Sequence, residues 1–481
     1  MFLITRKIIF IHVFIMFSLH AEVFEGYTLF TPITLSQSGA ITHLMNTSEE
    51  IIHTWSHERG PASMPYLLPD SSIIYPYRVE FPTMVSGGVG GGVQKLTWDG
   101  TIIWDYVFSD AVYQHHHDVE PLPSGNILII VWENKSAEDA YAMGRQVIEN
   151  ALNQMWSTAI LELEPESGAI VWEWHLWDHL IQDVDAELPN YGVISEHPQL
   201  FDINCGVVGT TIGGGPEGAN ADWMHINAVD YNPDLDQIVI SSRRQDEIFI
   251  IDHSTTTAAA ASHTGGNSGK GGDLLYRWGN PQNYDRGTSL DKILGIPHSV
   301  NWIPSGYPGA GHLILFNNVH DEPFAAVLEI ITPIDTFNDY ILPGDEPYEP
   351  ESWEWIYMDG FMAPLQGGAF RLPNGNTLIT LAVEAEIFEV DMDGNKLWTY
   401  TYGDDQADNY AIARAQKYSM DYLDATLLGD MNSDGVLNVL DIVSLVNIIL
   451  SGETDPLGDV NLDGDINVLD VVILVNIILA S

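Results

Sequence analysis

Three histidines and an arginine, His117, His225, His298 and Arg243, with Asn227 beside them, hold the reactive side chains of this 481-residue sequence. An imidazole titrates near neutrality and serves as base, acid or nucleophile. A guanidinium offers an anion a planar fork of donors. Lys and Arg total only 17 residues against 67 Asp and Glu, so the adjacent Arg243 and Arg244 are a local concentration of positive charge. The combination suits attack on, or capture of, an anionic group. Taken singly, each histidine is equally well explained as a strand cap bonded to backbone. The run His115, His116, His117 also leaves the choice between its last two members open.

Apolar alternation identifies the elements that must position these side chains. Residues 229–231 and 237–241 read as strands joined by the turn Asn232-Pro-Asp-Leu-Asp236, and residues 247–251 as the next strand. His225 and Arg243 therefore sit at strand ends. The register recurs: a start position is followed six residues later by a turn proline, at Ser63 and Pro69, His117 and Pro123, His298 and Pro304, Gly367 and Pro373. His225 falls in the same register, with Pro233 at its turn. Strands then close near Trp55, Trp104, Trp172, Trp278, Trp353 or Trp355, and Trp398. Six closings against five starts predict an all-β, six-bladed β-propeller over residues 22–426, with the remaining blade shared between the chain ends. The turns Pro-Ser-Gly-Asn126 and Pro-Asn-Gly-Asn376 and the hairpins at Asp99-Gly100 and Asp393-Gly394 fit that architecture. Blade symmetry would gather His117, His225 and His298 around one axis. Between the strands, 136–153 reads as helical, 178–221 and 255–270 as loops, and the glycine-rich 86–92 and 255–270 as mobile.

A formal charge of −50 excludes a nucleic-acid partner, which requires a basic face. The 45% hydrophobic content is ample for a large core. Residues 1–21 carry Arg6 and Lys7, an apolar run over 8–19 and Ser18-Leu-His-Ala21, which reads as a secretory signal or a retained N-terminal anchor. No other segment has membrane-spanning length. A secreted, periplasmic or cell-surface protein follows. Cys205 is the single cysteine, so no intramolecular disulfide exists.

From residue 427 to 481 the character changes. Asp430, Asn432, Asp434, Asn438 and Asp441 occupy positions 1, 3, 5, 9 and 12 of a loop, with the Val436 carbonyl at position 7. Asp459, Asn461, Asp463, Asp465, Asn467 and Asp470 repeat it 29 residues later. Such oxygen sets suit two calcium ions, and each loop leads into an apolar helix, 442–450 and 471–479. The duplicated unit resembles a type I dockerin. That resemblance implies a small α-helical domain and a cohesin module as partner, with Val439-Leu440 and Val468-Leu469 near the contact.

The propeller motifs resemble a second family. His-His-Asp118 before Leu-Pro-Ser-Gly-Asn126, then Asp-Trp-Met-His-Ile-Asn227, Ser-Ser-Arg243, Gly-Ile-Pro-His298, Leu-Pro-Asn-Gly-Asn376 and Ala-Arg-Ala-Gln-Lys-Tyr418 are similar, in order, to those of the bacterial arylsulfate sulfotransferases. The likeness spans residues 75–422. It implies transfer of a sulfuryl group from a phenolic sulfate ester to a phenol, without nucleotide sulfate, by a ping-pong route through a sulfated histidine. On that likeness His298 is the nucleophile, His117, His225, Asn227 and Arg243 surround the sulfuryl group, and catalysis needs no metal or other cofactor. Larger family members carry an N-terminal sandwich domain and a disulfide, for which residues 22–47 and the lone Cys205 leave no place. Two other readings stay open: a non-catalytic propeller that binds an anionic ligand, and a transition metal held by the three histidines. The cationic Arg243 speaks against the metal.

Overall fold

β-branched and aromatic residues dominate the runs that pair. The computed structural model describes residues 21–33, 39–209, 219–403, 410–423, 428–432, 437–452, 454–461 and 466–480. The N-terminal leader, except its last residue, and the expected calcium ligands Asp434, Val436, Asp463 and Asp465 lie outside the described residues.

Six four-stranded antiparallel sheets form the body, and they are the blades of a propeller. Their innermost strands are Gln416–Ser419, Tyr66–Leu67, Tyr113–Pro121, Ile226–Asn232, Pro297–Trp302 and Gly368–Arg371, for blades 1 to 6. The outermost strands carry Trp55, Trp104, Trp172, Trp278, Trp355 and Trp398, so the closing tryptophans mark blade edges, with Trp355 and not Trp353 in the strand. Blade 1 takes its inner strand from the C-terminal side and the other three from residues 26–57, with Tyr27 opposite Tyr418. The ring is thereby closed, and only the short outer strand of each blade remains an edge.

The inner hairpins of blades 3 and 6 share one turn. Gly125 and Gly375, at φ 87° and 92°, donate their N–H groups to Leu122 O and Leu372 O at 2.9 Å. Glycine supplies this left-handed conformation without a Cβ penalty. Apolar side chains between blades, among them the fully enclosed Trp132, Trp174 and Trp223, form the core.

The insertions depart from expectation. Only Ala137–Ala142 of 136–153 is helical, started by a capping box from Ser136 and Asp139. The stretch 255–270 contains the short helix Thr257–Ala260. The glycines of 86–92 are packed against histidine and tyrosine rings. In the C-terminal part, helices Val439–Ser451 and Val468–Ala480 pack together, with Leu445 and Leu474 fully buried. No helix among the described residues is long and apolar enough to cross a membrane.

Candidate active site

Inner strands of three successive blades are irregular at the same end. Pairing slips between Ile129 and Val131 opposite His117, between Ile226 and Ala228 beside His225, and between His298 and Asn301. His117 and His225 take φ of 55° and 51°, and Ser299 takes 54°. A bulge bends the strand and redirects a side chain. These bulges turn His117, His225 and His298 into one cavity of about 460 Å³, which Arg243 also lines. The His117 and His225 rings meet edge to face with centroids 4.7 Å apart.

The hydrogen bonds of His298 fix its tautomer. Asn318 donates from Nδ2 to Ala363 O and Gln366 O, both at 2.7 Å, so its Oδ1 is the acceptor facing His298 Nδ1 at 2.7 Å. Ile296 O also accepts from Nδ1, at 3.1 Å. The proton is therefore on Nδ1, and Nε2 keeps its lone pair. Burial lowers this imidazole to about 3, against the Asn318 bond and with help from His225 and Arg243, so the ring is neutral.

His225 is held from behind by Asp222. The carboxylate accepts from His225 Nδ1, from His225 N at 3.1 Å, from Trp132 Nε1 at 3.1 Å and from Ser86 Oγ at 3.1 Å. Burial alone would raise Asp222; the His225 and Arg244 charges outweigh it and keep the acid below its ordinary range. Nε2 is then the nitrogen His225 presents to the cavity. Of the two neighbours left open by sequence, His117 lines the cavity while His116 stacks on Trp132 at 4.1 Å. Their Nδ1 atoms are 2.9 Å apart, so one hydrogen bond joins the rings. Gly88 makes room for this: a Cβ there would lie 2.0 Å from His117 Nε2.

Two guanidiniums complete the floor. Arg243, whose backbone N–H donates to His225 O at 3.2 Å, and Arg78, at the end of Ile73–Arg78, both line the cavity. Among the described residues neither has a carboxylate partner, although the chain is rich in acids. Arg78 Nε is buried without a hydrogen bond. Burial lowers both from their usual value, Arg243 with the added repulsion of Arg244. Guanidiniums with no carboxylate at ion-pair distance suit an anion. Ile33, Leu365, Val383 and Tyr410 also line it, and Leu365 and Val383 are exposed where the histidines are buried, so a polar floor lies beneath an apolar rim.

The model of the arylsulfotransferase family matches residues 83–325, just over half of the chain and the part that carries His117, His225, Arg243 and His298. The chain belongs to the arylsulfotransferase family. Membership implies an enzyme with an aryl sulfate donor and a phenolic acceptor, as the sequence motifs suggested. No curated protein matches the chain. Among solved structures it is similar to a protein of unknown function from Bacteroides caccae, at 12% identity and TM-score 0.41 over 82% of this chain and 98% of that one. A virginiamycin B lyase from Staphylococcus aureus is similar at 10% identity and TM-score 0.35, over 79% and 86%.

For an arylsulfotransferase the apolar rim suits the aryl ring and the floor suits the sulfuryl group. Four of the five residues singled out by sequence, His117, His225, His298 and Arg243, come together at that floor. Asn227 does not reach it. Its Nδ2 donates to Pro297 O at 2.8 Å and its Oδ1 accepts from Ser241 Oγ at 2.6 Å, which ties blade 4 to the strand that carries His298. Sequence reasoning missed Arg78, Asp222 and Asn318. Arg78 had a signal, since it ends the second strand of its blade as Arg243 follows the second strand of another. Asp222 had a weaker one, three residues before His225. Asn318 had none.

Proposed function

We propose that this arylsulfotransferase moves a sulfuryl group from an aryl sulfate to a phenol in two steps through a sulfated His298. The observation that carries the reading is the tautomer of His298: a neutral ring with Nδ1–H held by Asn318 and Ile296 and a free Nε2 lone pair, beside two guanidiniums that form no ion pair among the described residues. Nε2 attacks sulfur, the bond from sulfur to the aryl oxygen breaks, and the leaving phenolate takes a proton from Nε2 of a protonated His225. The sulfated imidazole is a zwitterion, its ring positive and its sulfuryl group negative, and the oxygens facing Nδ1 offset the ring's charge. A phenol then attacks sulfur and gives its proton to His225, the bond from nitrogen to sulfur breaks, and His298 returns neutral. Arg243 and Arg78 hold the sulfuryl oxygens, whose charge changes little between ground and transition state in such loose transfers, so positioning dominates. His117 packs against His225 and shares this proton traffic.

Donor alone tests it. A chromogenic aryl sulfate without acceptor should release one equivalent of phenol per enzyme and leave a sulfuryl group on His298, detected by peptide mass spectrometry. His298→Ala should show neither. Steady turnover by wild type with no sulfated histidine at any time point would sink the mechanism. Ligand binding with no turnover by any phenol would favour the non-catalytic propeller, and stoichiometric transition metal lost in His225→Ala would favour the metal reading.

The C-terminal residues 427–481 fit a calcium-binding, dockerin-like module. Asp441 and Asp470 are fully buried, and the sequence after Lys417 contains no Lys, Arg or His. Buried carboxylates require a counter-charge. Asp430, Asn432, Asn438 and Asp441, then Asp459, Asn461, Asn467 and Asp470, would supply oxygens to two calcium ions. The exposed Val439, Leu440, Val468 and Leu469 would face a cohesin-like partner, and the leader would export the enzyme. Calorimetry with calcium should find two sites on the intact chain; fewer would remove this part of the reading.

A further inference from the structure

A second cluster of histidines lies in the insertion beside blade 3. His179 ends the 3-10 turn Leu176–His179 and is fully enclosed, its ring parallel to Trp174. His263 and Asp273 come from the insertion that follows blade 4's third strand. Both His179 Nδ1, at 2.8 Å, and His263 Nδ1, at 2.7 Å, face the same oxygen, Asp273 Oδ1. On its far side His179 Nε2 lies 2.8 Å from Ala260 O.

Ala260 O only accepts, so His179 Nε2 carries a proton. In the neutral ring the Nδ1 lone pair then points at a carboxylate oxygen, toward which His263 also aims a nitrogen. One ligand atom from each of the three residues lies within 4.8 Å of the other two. A cation would use the Nδ1 lone pair of His179, and the carbonyl behind Nε2 is the usual partner that orients a metal-bound histidine. The backbone is shaped to permit it. A Cβ at Gly272 would lie 1.9 Å from Ala260 O and 2.6 Å from His179 Nε2, and Trp174 Nε1 donates to Gly272 O at 2.7 Å.

We propose that His179, His263 and Asp273 bind one divalent transition-metal ion, with zinc best matched to two imidazoles and a carboxylate. His263 has 58% of its side chain exposed, so the fourth position is open to water. The ion clips the insertion at 260–273 to the outer face of blade 3. This site is separate from the catalytic cavity in every residue, so its failure and that of the transfer mechanism are independent.

The test uses the full chain without an affinity tag, stripped of metal and held in excess calcium so that the C-terminal oxygens do not compete. Zinc is titrated against a chromophoric chelator, and cobalt is used as a spectroscopic probe. Wild type should bind one tight equivalent, with cobalt giving tetrahedral absorption. Asp273→Asn and the surface variant His263→Ala should each weaken binding by more than the roughly 10–100-fold that loss of a partner behind a ligand costs. Zinc should also raise the Tm of wild type and not of His263→Ala. No tight zinc in wild type, or zinc binding untouched in His263→Ala, overturns the proposal. Loss in His225→Ala with retention in His263→Ala would move the metal to the catalytic cavity and overturns it as well.

Discussion

At the scale of single residues the site is a problem of which nitrogen carries the proton. Asn318 holds the answer, because its amide is oriented by two backbone carbonyls before it meets His298. Asn318→Ala leaves Ile296 O as the remaining acceptor and lets the ring turn or change tautomer. The donor half-reaction should slow about 10–100-fold, measured as the phenol burst, while the affinity for donor changes little. A burst rate equal to wild type would show that Asn318 does not fix the ring. The lowered basicity of His298 makes a second prediction. On the proposed two-step route a nitrophenyl leaving group needs no proton, so the only acid limb would come from protonating His298. Because His298 is lowered to about 3, the burst rate should be flat as pH falls from 8 through 6.5 to about 4. A fall centred near the ordinary histidine value of about 6.5 would contradict this. His298, His225 and Arg243 were legible in sequence because type and register marked them. Asn318 was not, since it reaches His298 from 20 residues away and only the length of strand Leu313–Asp321 brings it there.

Elements aim these residues, and they do so by irregularity. Regular pairing would alternate the inner strands' side chains; the bulges at His117, Ile226 and His298 break that alternation at the cavity end. Sequence gave the blade starts but not the bulges, which have no fixed residue signature. The glycine-rich 86–92, expected to be mobile, is instead the surface against which the imidazoles close. Gly88→Ala would set a Cβ on the His117 ring at φ +73°, and activity should fall by at least about tenfold while Tm changes modestly. Gly125→Ala, at φ +87° with open space around it, should cost about 1 kcal/mol and spare activity. Equal activity in both variants would show that the His117 packing is unimportant. The inner strand of blade 4 also carries Asp230, whose Oδ2 accepts from Trp302 N at 2.8 Å. Burial raises this acid to about 7, against that hydrogen bond and with the charge of Asp118 adding to the rise. The folded state therefore binds the proton more tightly than the unfolded chain. Its contribution to stability is complete below about pH 4 and is lost as pH rises toward 7. Asp230→Asn should flatten the decline in unfolding free energy between pH 4 and 7; an unchanged slope would assign it to other groups.

The whole molecule is a ring, and a ring is as strong as its closure. Counting tryptophans against blade starts showed that the two chain ends share a blade, since each blade must close on an outer strand. It did not show what locks the joint. Glu389, in the third strand of blade 6, accepts from Lys417 Nζ at 2.8 Å, from Asn376 Nδ2 at 2.6 Å and from Phe24 N at 2.6 Å. It thus touches the closing strand, the adjacent hairpin and the N-terminal segment, and both members of its ion pair have side chains at 0% exposure. Removing one partner strands a buried charge, whereas removing both leaves an apolar gap that can be filled. Glu389→Ala should therefore destabilise the propeller by about 3–5 kcal/mol, and the double variant Glu389→Met with Lys417→Met should recover most of that loss. Urea unfolding followed by tryptophan fluorescence measures both. If the double variant is as unstable as the single one, the pair's worth lies in its hydrogen bonds to Asn376 and Phe24 and not in the balance of charge. The buried ion pair would then be incidental to closing the ring.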